Sequence, residues 1–190
     1  MRDMATVPAS LVAPFPLTTA LVPPSPTTLD KLAGMSALAI PLPVTAALVP
    51  PSPATLDKLA QAQEIILARP QVTAATEHLF HGGMYARTMR LIPGVWMIGS
   101  LIRLATVLIV HGDCAVIVGD EQVELSGYNV IPGCAGRKQL FWTRGPVEMT
   151  MIFPTHAQTV TEAEDEVFAE AEQLQSRKDS SRNTVMITGQ

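Results

Sequence analysis

The sequence predicts a mainly β protein: a small antiparallel sandwich or barrel, preceded by an extended Pro-rich arm and followed by an α-helix. Three observations carry this. Twelve of the sixteen prolines fall within the first 70 residues, where charged side chains are sparse. From about Ala86 to Phe153, short apolar or alternating runs are separated by Gly and Pro at even spacing. That is the pattern of short antiparallel strands. Beyond residue 156 the period changes again, to an amphipathic stripe with an acidic start. The resulting boundaries are an arm over residues 1–76, a β-barrel over 77–156, a C-terminal helix over 157–178 and a polar, mobile tail over 179–190.

Within the arm, residues 1–24 read as extended, with polyproline-like pieces. Ser25-Pro26 opens a short helix: Ser serves as N-cap, and Pro at the first helical position brings its fixed backbone angle. Gly34 ends it. Residues 35–47 are extended again, broken by Pro41 and Pro43, and Ser52-Pro53 restarts the same helix. This second helix continues through Leu56, Leu59, Ile65, Ile66 and Leu67, about four turns, until Pro70 stops it. Apolar side chains between the prolines would leave much apolar surface in water, so the arm is expected to lie across another surface, a partner's by preference.

The two helix starts belong to an internal duplication. Leu21-Val-Pro-Pro-Ser-Pro-Thr-Thr-Leu-Asp-Lys-Leu-Ala33 recurs as Leu48-Val-Pro-Pro-Ser-Pro-Ala-Thr-Leu-Asp-Lys-Leu-Ala60, 27 residues later and altered only at Thr27/Ala54. Two copies fall short of the roughly three that a stacked repeat architecture needs. Two near-identical peptides are better matched by two near-identical receptors, which points to an assembly component. The expected partner-binding residues are Leu21, Val22, Pro23, Pro24, Leu29 and Leu32 in the first copy, and Leu48, Val49, Pro50, Pro51, Leu56 and Leu59 in the second. In each, the Leu-Val-Pro-Pro strip is stiff and loses little entropy on docking. The Leu pair at i, i+3 suits a groove.

In the barrel, Arg87–Ile92 alternates, Pro93-Gly94 turns the chain, and Val95–Ala105 alternates in part. Thr106–Val110 is followed by a turn at His111-Gly-Asp113, then by Cys114–Val118 and a hairpin signal at Gly119-Asp-Glu121. Val123–Leu125, Asn129–Ile131, Lys138–Trp142 and Val147–Phe153 complete the strands. Met89, Leu91, Trp96, Ile98, Leu108, Val110, Val116 and Val118 are expected inside, as a filled apolar core. Thr161-Glu-Ala-Glu164 reads as a capping box for the last helix, with Ala163, Val167, Ala171 and Leu174 as its buried stripe. The run Glu164-Asp-Glu166 reads as a solvated face.

Several functions find no support. A formal net charge of -4 does not suit a nucleic-acid binder. No run of 18 apolar residues free of Pro and charge spans a membrane, and the start lacks a secretory pattern. Cys114 and Cys134 show neither disulfide-scaffold numbers nor metal spacing. Neither they nor Ser100 has a base partner visible in the sequence, so no catalytic residue and no cofactor are assigned. His78 and His81 could form half a metal site, but loop or packing roles are the simpler expectation; His111 and His156 read as surface residues. Arg87, Arg90, Arg103, Arg137 and Lys138 could line a basic patch for an acidic partner or an anionic ligand, with solvated strand faces as the plainer alternative.

The block from Pro93 to Phe153 resembles a cupin, a small double-stranded jelly roll. The matching pieces are Pro93-Gly94, Val107-Leu-Ile-Val-His-Gly112, Val123-Glu-Leu-Ser-Gly127 and Val130-Ile-Pro-Gly133. Cupin enzymes hold a metal with His-x-His, a following Glu and a later His. Here the first region, Gly99-Ser-Leu-Ile-Arg-Leu-Ala-Thr106, has neither His nor Glu, and Arg137 stands where the last ligand would be. A cation there repels a divalent metal, so no metal is expected. Residues 77–155, from Glu77-His-Leu-Phe-His-Gly-Gly-Met-Tyr-Ala-Arg-Thr-Met-Arg90 to Gly136-Arg-Lys-Gln, are also similar to small cupin-like proteins encoded among virion genes of tailed bacteriophages and prophages. That resemblance implies a virion structural component that is not an enzyme, placed in the tail, neck or capsid surface. Its implied partners are other virion proteins in a symmetric ring or shell, and the barrel itself would be a homo-oligomer. A cupin-fold enzyme or small-molecule binder, and a bacterial scaffold recruiting an oligomeric partner, are the rival readings.

Overall fold

The computed structural model describes residues 20–21, 40–41 and 47–189. Its strands are β1 (Ala20–Leu21), β2 (Ile40–Pro41), β3 (Gln71–Val72), β4 (Thr76–His81), β5 (Met84–Leu91), β6 (Trp96–Ile98), β7 (Thr106–Val118), β8 (Glu121–Leu125), β9 (Tyr128–Gly133), β10 (Leu140–Pro154) and β11 (Asn183–Thr188). The helices are α1 (Pro53–Leu67), α2 (Val160–Val167) and α3 (Gln175–Lys178). Strands run in the order β11-β4-β5-β10-β7-β8-β2, with β6 added to β10 and β9 added to β7. The pairings are antiparallel except for β11 on β4 and β2 on β8.

Two long strands make one ladder into two sheets. The first half of β10 pairs β6 and its second half pairs β5. Likewise β7 pairs β9 with its first half and β8 with its second. Between the halves the register shifts: Thr143 opposes Cys114, whereas Val147 opposes Gly112, so β10 advances four residues while β7 retreats two. Such an excess bends and twists a strand. Gly112 is required at this kink, because it holds φ +126 and a Cβ there would sit 2.3 Å from the Pro146 carbonyl oxygen. The two sheets face each other over a continuous core that includes Tyr85, Val110, Val116, Phe141, Met149 and Phe153. The fold is thus a cupin-like jelly roll.

Several sequence expectations change at this level. The turn at His111-Gly-Asp113 is not a turn, because all three residues lie within β7 and Gly112 absorbs the bend. The strands expected at Lys138–Trp142 and Val147–Phe153 merge into the single β10, which begins only at Leu140. Residues 77–81, inside the expected barrel but given no strand, belong to β4, in which buried positions alternate with more exposed ones. Within residues 179–190, expected as a polar tail, Thr-Val-Met-Ile-Thr supplies enough β-branched and apolar character for β11 to pair along β4. The C-terminal helix begins two residues earlier than expected: Thr159 is the N-cap and Glu162 closes the capping box. It also stops at Val167, where Phe168 turns extended to enter the core; α3 follows after a single 3-10 turn.

Inside the barrel, Met89, Leu91, Leu108, Val110 and Val116 are buried as expected. Trp96 and Ile98 point the other way, because β6 alternates so that Met97 enters the barrel while its neighbours pack towards α1. Val118 is only partly buried.

Candidate functional site

The second copy of the duplicated motif lies on the chain's own barrel. Leu48 bridges to Gly133: its N–H donates to the Pro132 carbonyl at 2.8 Å, and its carbonyl accepts from Cys134 at 2.8 Å. The Leu48 side chain joins the barrel core with no exposed surface. Ser52 then caps α1, accepting from the Thr55 N–H at 3.3 Å, with Pro53 in the first turn as the sequence indicated. Asp120, at the β7–β8 turn, completes the cap from outside. It accepts from the Ser52 N–H at 3.2 Å and from the Thr55 hydroxyl at 2.6 Å, and these donors hold its carboxyl below the usual range. Beyond the cap, Leu59, Ala62 and Ile66 pack on Ile98, Ile117 and Leu140, flanked by Trp96.

This corrects part of the expected partner-binding set. Leu48 and Leu59 are enclosed by the chain's own barrel, and Pro51 is buried with them. Val49 and Pro50 remain exposed, and Leu56 is half-buried. The folded unit therefore reaches back before residue 77: α1 packs on the barrel, and β2 pairs with β8. In the first copy only Leu21 is described, where its backbone pairs with Gln71 of β3 rather than with β9. Val22, Pro23, Pro24, Leu29 and Leu32 lie outside the described residues.

The second feature is the barrel interior, where the five basic residues separate. Arg90 and Arg103 are on the surface, Arg90 paired to Glu77 and Glu148 and Arg103 to the carbonyls of Asp165 and Ala169. Lys138 is partly buried, which lowers its pKa, and approaches Glu170 at 4.0 Å. Arg87 and Arg137 are inside, so no single patch forms.

Arg87 projects from β5 into a complete network. Its Nε lies 3.4 Å from Glu164 and it donates to the Ser176 hydroxyl at 3.1 Å, while its guanidinium stands 5.6 Å from the centre of the Phe168 ring. Glu164 is fully buried and also accepts from Ser176 at 3.1 Å and from Arg177 at 2.8 Å. The expected solvated acidic face is thus corrected at Glu164: it faces inward because two arginines and a hydroxyl satisfy it. Beside this network, His78 contacts the Tyr85 hydroxyl at 2.6 Å. Burial, with the Arg87 charge second, pushes the His78 pKa down to about 4, so the imidazole is neutral. His81, three residues along the strand, faces outward to Thr188, so the pair cannot share a metal.

Arg137 is different. It is 2 % exposed, yet every partner it has among the described residues is neutral: the Cys134 carbonyl at 2.9 Å, the Leu104 carbonyl at 3.5 Å, the Thr106 hydroxyl at 2.6 Å and the Met151 sulfur at 4.0 Å. Gly133 makes its room, since a Cβ there would sit 2.5 Å from Arg137 Cζ. Burial lowers its pKa to about 10. A cavity of about 80 Å³ adjoins it, lined by Arg137, Gln139, Ser100 and Arg87 among methionine, leucine, isoleucine and phenylalanine side chains. Among the described residues no three His, Cys, Asp or Glu side chains converge as metal ligands would.

Sequence reasoning placed Arg137 at the turn after Pro132 but not in the interior. The one available signal was Gly133 four residues earlier, which leaves space for a long side chain.

None of the protein-family models matches the chain, and none of the curated proteins does. Among solved structures, it is similar to a putative ethanolamine utilization protein from Salmonella typhimurium, at 14% identity and TM-score 0.37, covering 45% of this chain and 72% of that one. A cupin 2 domain-containing protein from Halorhodospira halophila gives 14% identity and TM-score 0.36, over 45% and 67% of the two chains. A salicylate 1,2-dioxygenase from Pseudoaminobacter salicylatoxidans gives 13% identity and TM-score 0.37, over 72% of this chain and 42% of that one. At such identities and TM-scores these likenesses carry no activity across.

Proposed function

We propose that the chain is a non-enzymatic structural component of a tailed-phage virion, in the tail, neck or capsid surface, whose N-terminal arm ties it to neighbouring subunits. Its partners are other virion proteins arranged in a ring or shell, including further copies of itself, and it acts within the virion after assembly in the host cytoplasm. One observation carries the tethering part. The dock on the barrel reads Leu48, Ser52, Thr55 and Leu59. All four are repeated in the first copy as Leu21, Ser25, Thr28 and Leu32. The single altered position, Ala54, is exposed and touches none of the dock's hydrogen bonds. Over the duplicated stretch the dock offers the two copies the same contacts, and only Ala62 and Ile66, beyond the repeat, add to the hold on the second copy. Each chain has one dock and two plugs, and the first plug, held in its own chain only by the two-residue pairing of β1 with β3, is the one offered to a neighbour. A second docking event on a linked chain runs at raised effective concentration, so weak plugs give firm attachment.

An outward strip of Val107, Tyr128 and Val130, all well exposed, supports self-association of the barrel face. Analytical ultracentrifugation of the full chain across a concentration series tests the tether. Wild-type protein should grow in mass with concentration, and Leu29→Asp with Leu32→Asp should suppress that growth while leaving the barrel folded. Growth unchanged in the double variant refutes tethering by the first copy. Imaging the native assembly tests the virion assignment: barrels repeating around a tail, neck or shell are expected.

A further inference from the structure

From the charge balance of the barrel interior we infer a binding site for a small apolar monocarboxylate, with Arg137 as its anchor. This goes beyond the tethering role and does not depend on it.

Buried charges in proteins are ordinarily paired, because an isolated ion in a poorly polarisable interior is costly. Among the described residues the interior holds two buried guanidinium groups, Arg87 and Arg137, and one buried carboxylate, Glu164. Glu164 is committed to Arg87 and Arg177. One positive charge therefore stays uncompensated, and it is that of Arg137. Two donors beside the cavity also lack partners: Nε of Arg137 and Nε2 of Gln139, each on a side chain more than nine-tenths buried. A carboxylate supplies both missing things, since it carries one negative charge and accepts several hydrogen bonds, and guanidinium is its best-matched partner.

The rest of the cavity selects the body of the ligand. Met89, Met97, Ile102, Phe141 and Met149 offer it no polar groups. A phosphate or sulfate would lose too much hydration there, whereas a short alkyl chain gains by burial. The volume of about 80 Å³ is several times the ~10–15 Å³ that one water needs. That room suits an acid of a few carbons, and methionine-rich walls adapt easily to its shape.

The test is calorimetric titration of the full chain with sodium butyrate, with butyramide and sodium chloride as controls at matched ionic strength. Butyrate should bind saturably at one site per barrel, while the amide and chloride give no saturable heat. Arg137→Met should weaken butyrate at least about tenfold, the loss of one charge-assisted contact. If that variant does not fold, Gln139→Leu decides, with a loss of several-fold expected. Absence of saturable butyrate binding overturns the assignment. So does equal binding of butyramide or chloride, or affinity unchanged in the variant that folds.

Discussion

Arg87 and Arg137 enter the same barrel, are both buried, and live in opposite electrostatic surroundings. Arg87 meets a buried carboxylate, a hydroxyl and an aromatic face, whereas Arg137 meets two carbonyls and a threonine hydroxyl. The first arrangement is closed: its charge is neutralised by α2, and both partners would suffer if either were lost. The second is open, because its charge is merely solvated by neutral dipoles. Burial alone therefore does not tell a structural arginine from a ligand-seeking one. The presence of a counter-ion does.

The comparison can be broken most forcefully at Glu164. Glu164→Gln strands Arg87 and half-strands Arg177, and should cost about 3–5 kcal/mol in urea unfolding, as breaking a buried ion pair does. Arg137→Met removes a charge that had no counter-ion and should cost clearly less. Equal losses in the two variants would erase the distinction drawn here.

A pH titration sharpens the closed side. The folded pKa of His78 lies near 4, below its ordinary 6.5, so the unfolded chain takes up the proton first. Stability from this group is complete above about pH 6.5 and is lost as the pH falls towards 4, by roughly 3 kcal/mol. Melting temperature followed over that window should drop in wild type and stay flatter in His78→Gln. A drop of the same size in the variant would assign the effect elsewhere.

On the open side, Gly133→Ala places a methyl group against the Arg137 guanidinium and should cost about 1–3 kcal/mol, as overpacking does. Combining it with Arg137→Met should recover much of that loss in chemical denaturation, because the clash partner is gone. Strictly additive losses would mean that the two positions do not interact.

The smallest effect concerns the dock. Asp120→Ala removes an external acceptor from the start of α1 and should lower stability less than any change above, because Ser52 still caps the helix. Faster protease cleavage before α1, with the barrel still intact, is the expected readout.

Much of this architecture was legible in the sequence where local chemistry decides. Ser52-Pro53 signalled the start of α1, and Pro70 came just after its end. The alternating runs around Val110 and Met149 mark core strands correctly. What could not be read depends on distant residues. Arg87 looked like a surface cation because its carboxylate lies 77 positions away in sequence. Glu164 looked solvated for the same reason. Trp96 and Ile98 were assigned to the interior because they alternate with a polarity pattern that does not show which of two apolar faces is the inner one; α1 covers the other face. Leu48 and Leu59 suit a partner's groove by sequence alone, because nothing local shows that the chain's own barrel receives them.

The bend at Gly112 has a consequence for how the molecule opens. Since β7 and β10 each run through both sheets, neither sheet owns a complete set of strands. Peeling one sheet away would tear the backbone ladder of the other. Amide hydrogens of Val110 on one side of the bend and Val116 on the other should therefore exchange with solvent through the same opening, at the same free energy, and the barrel should come apart as a single unit.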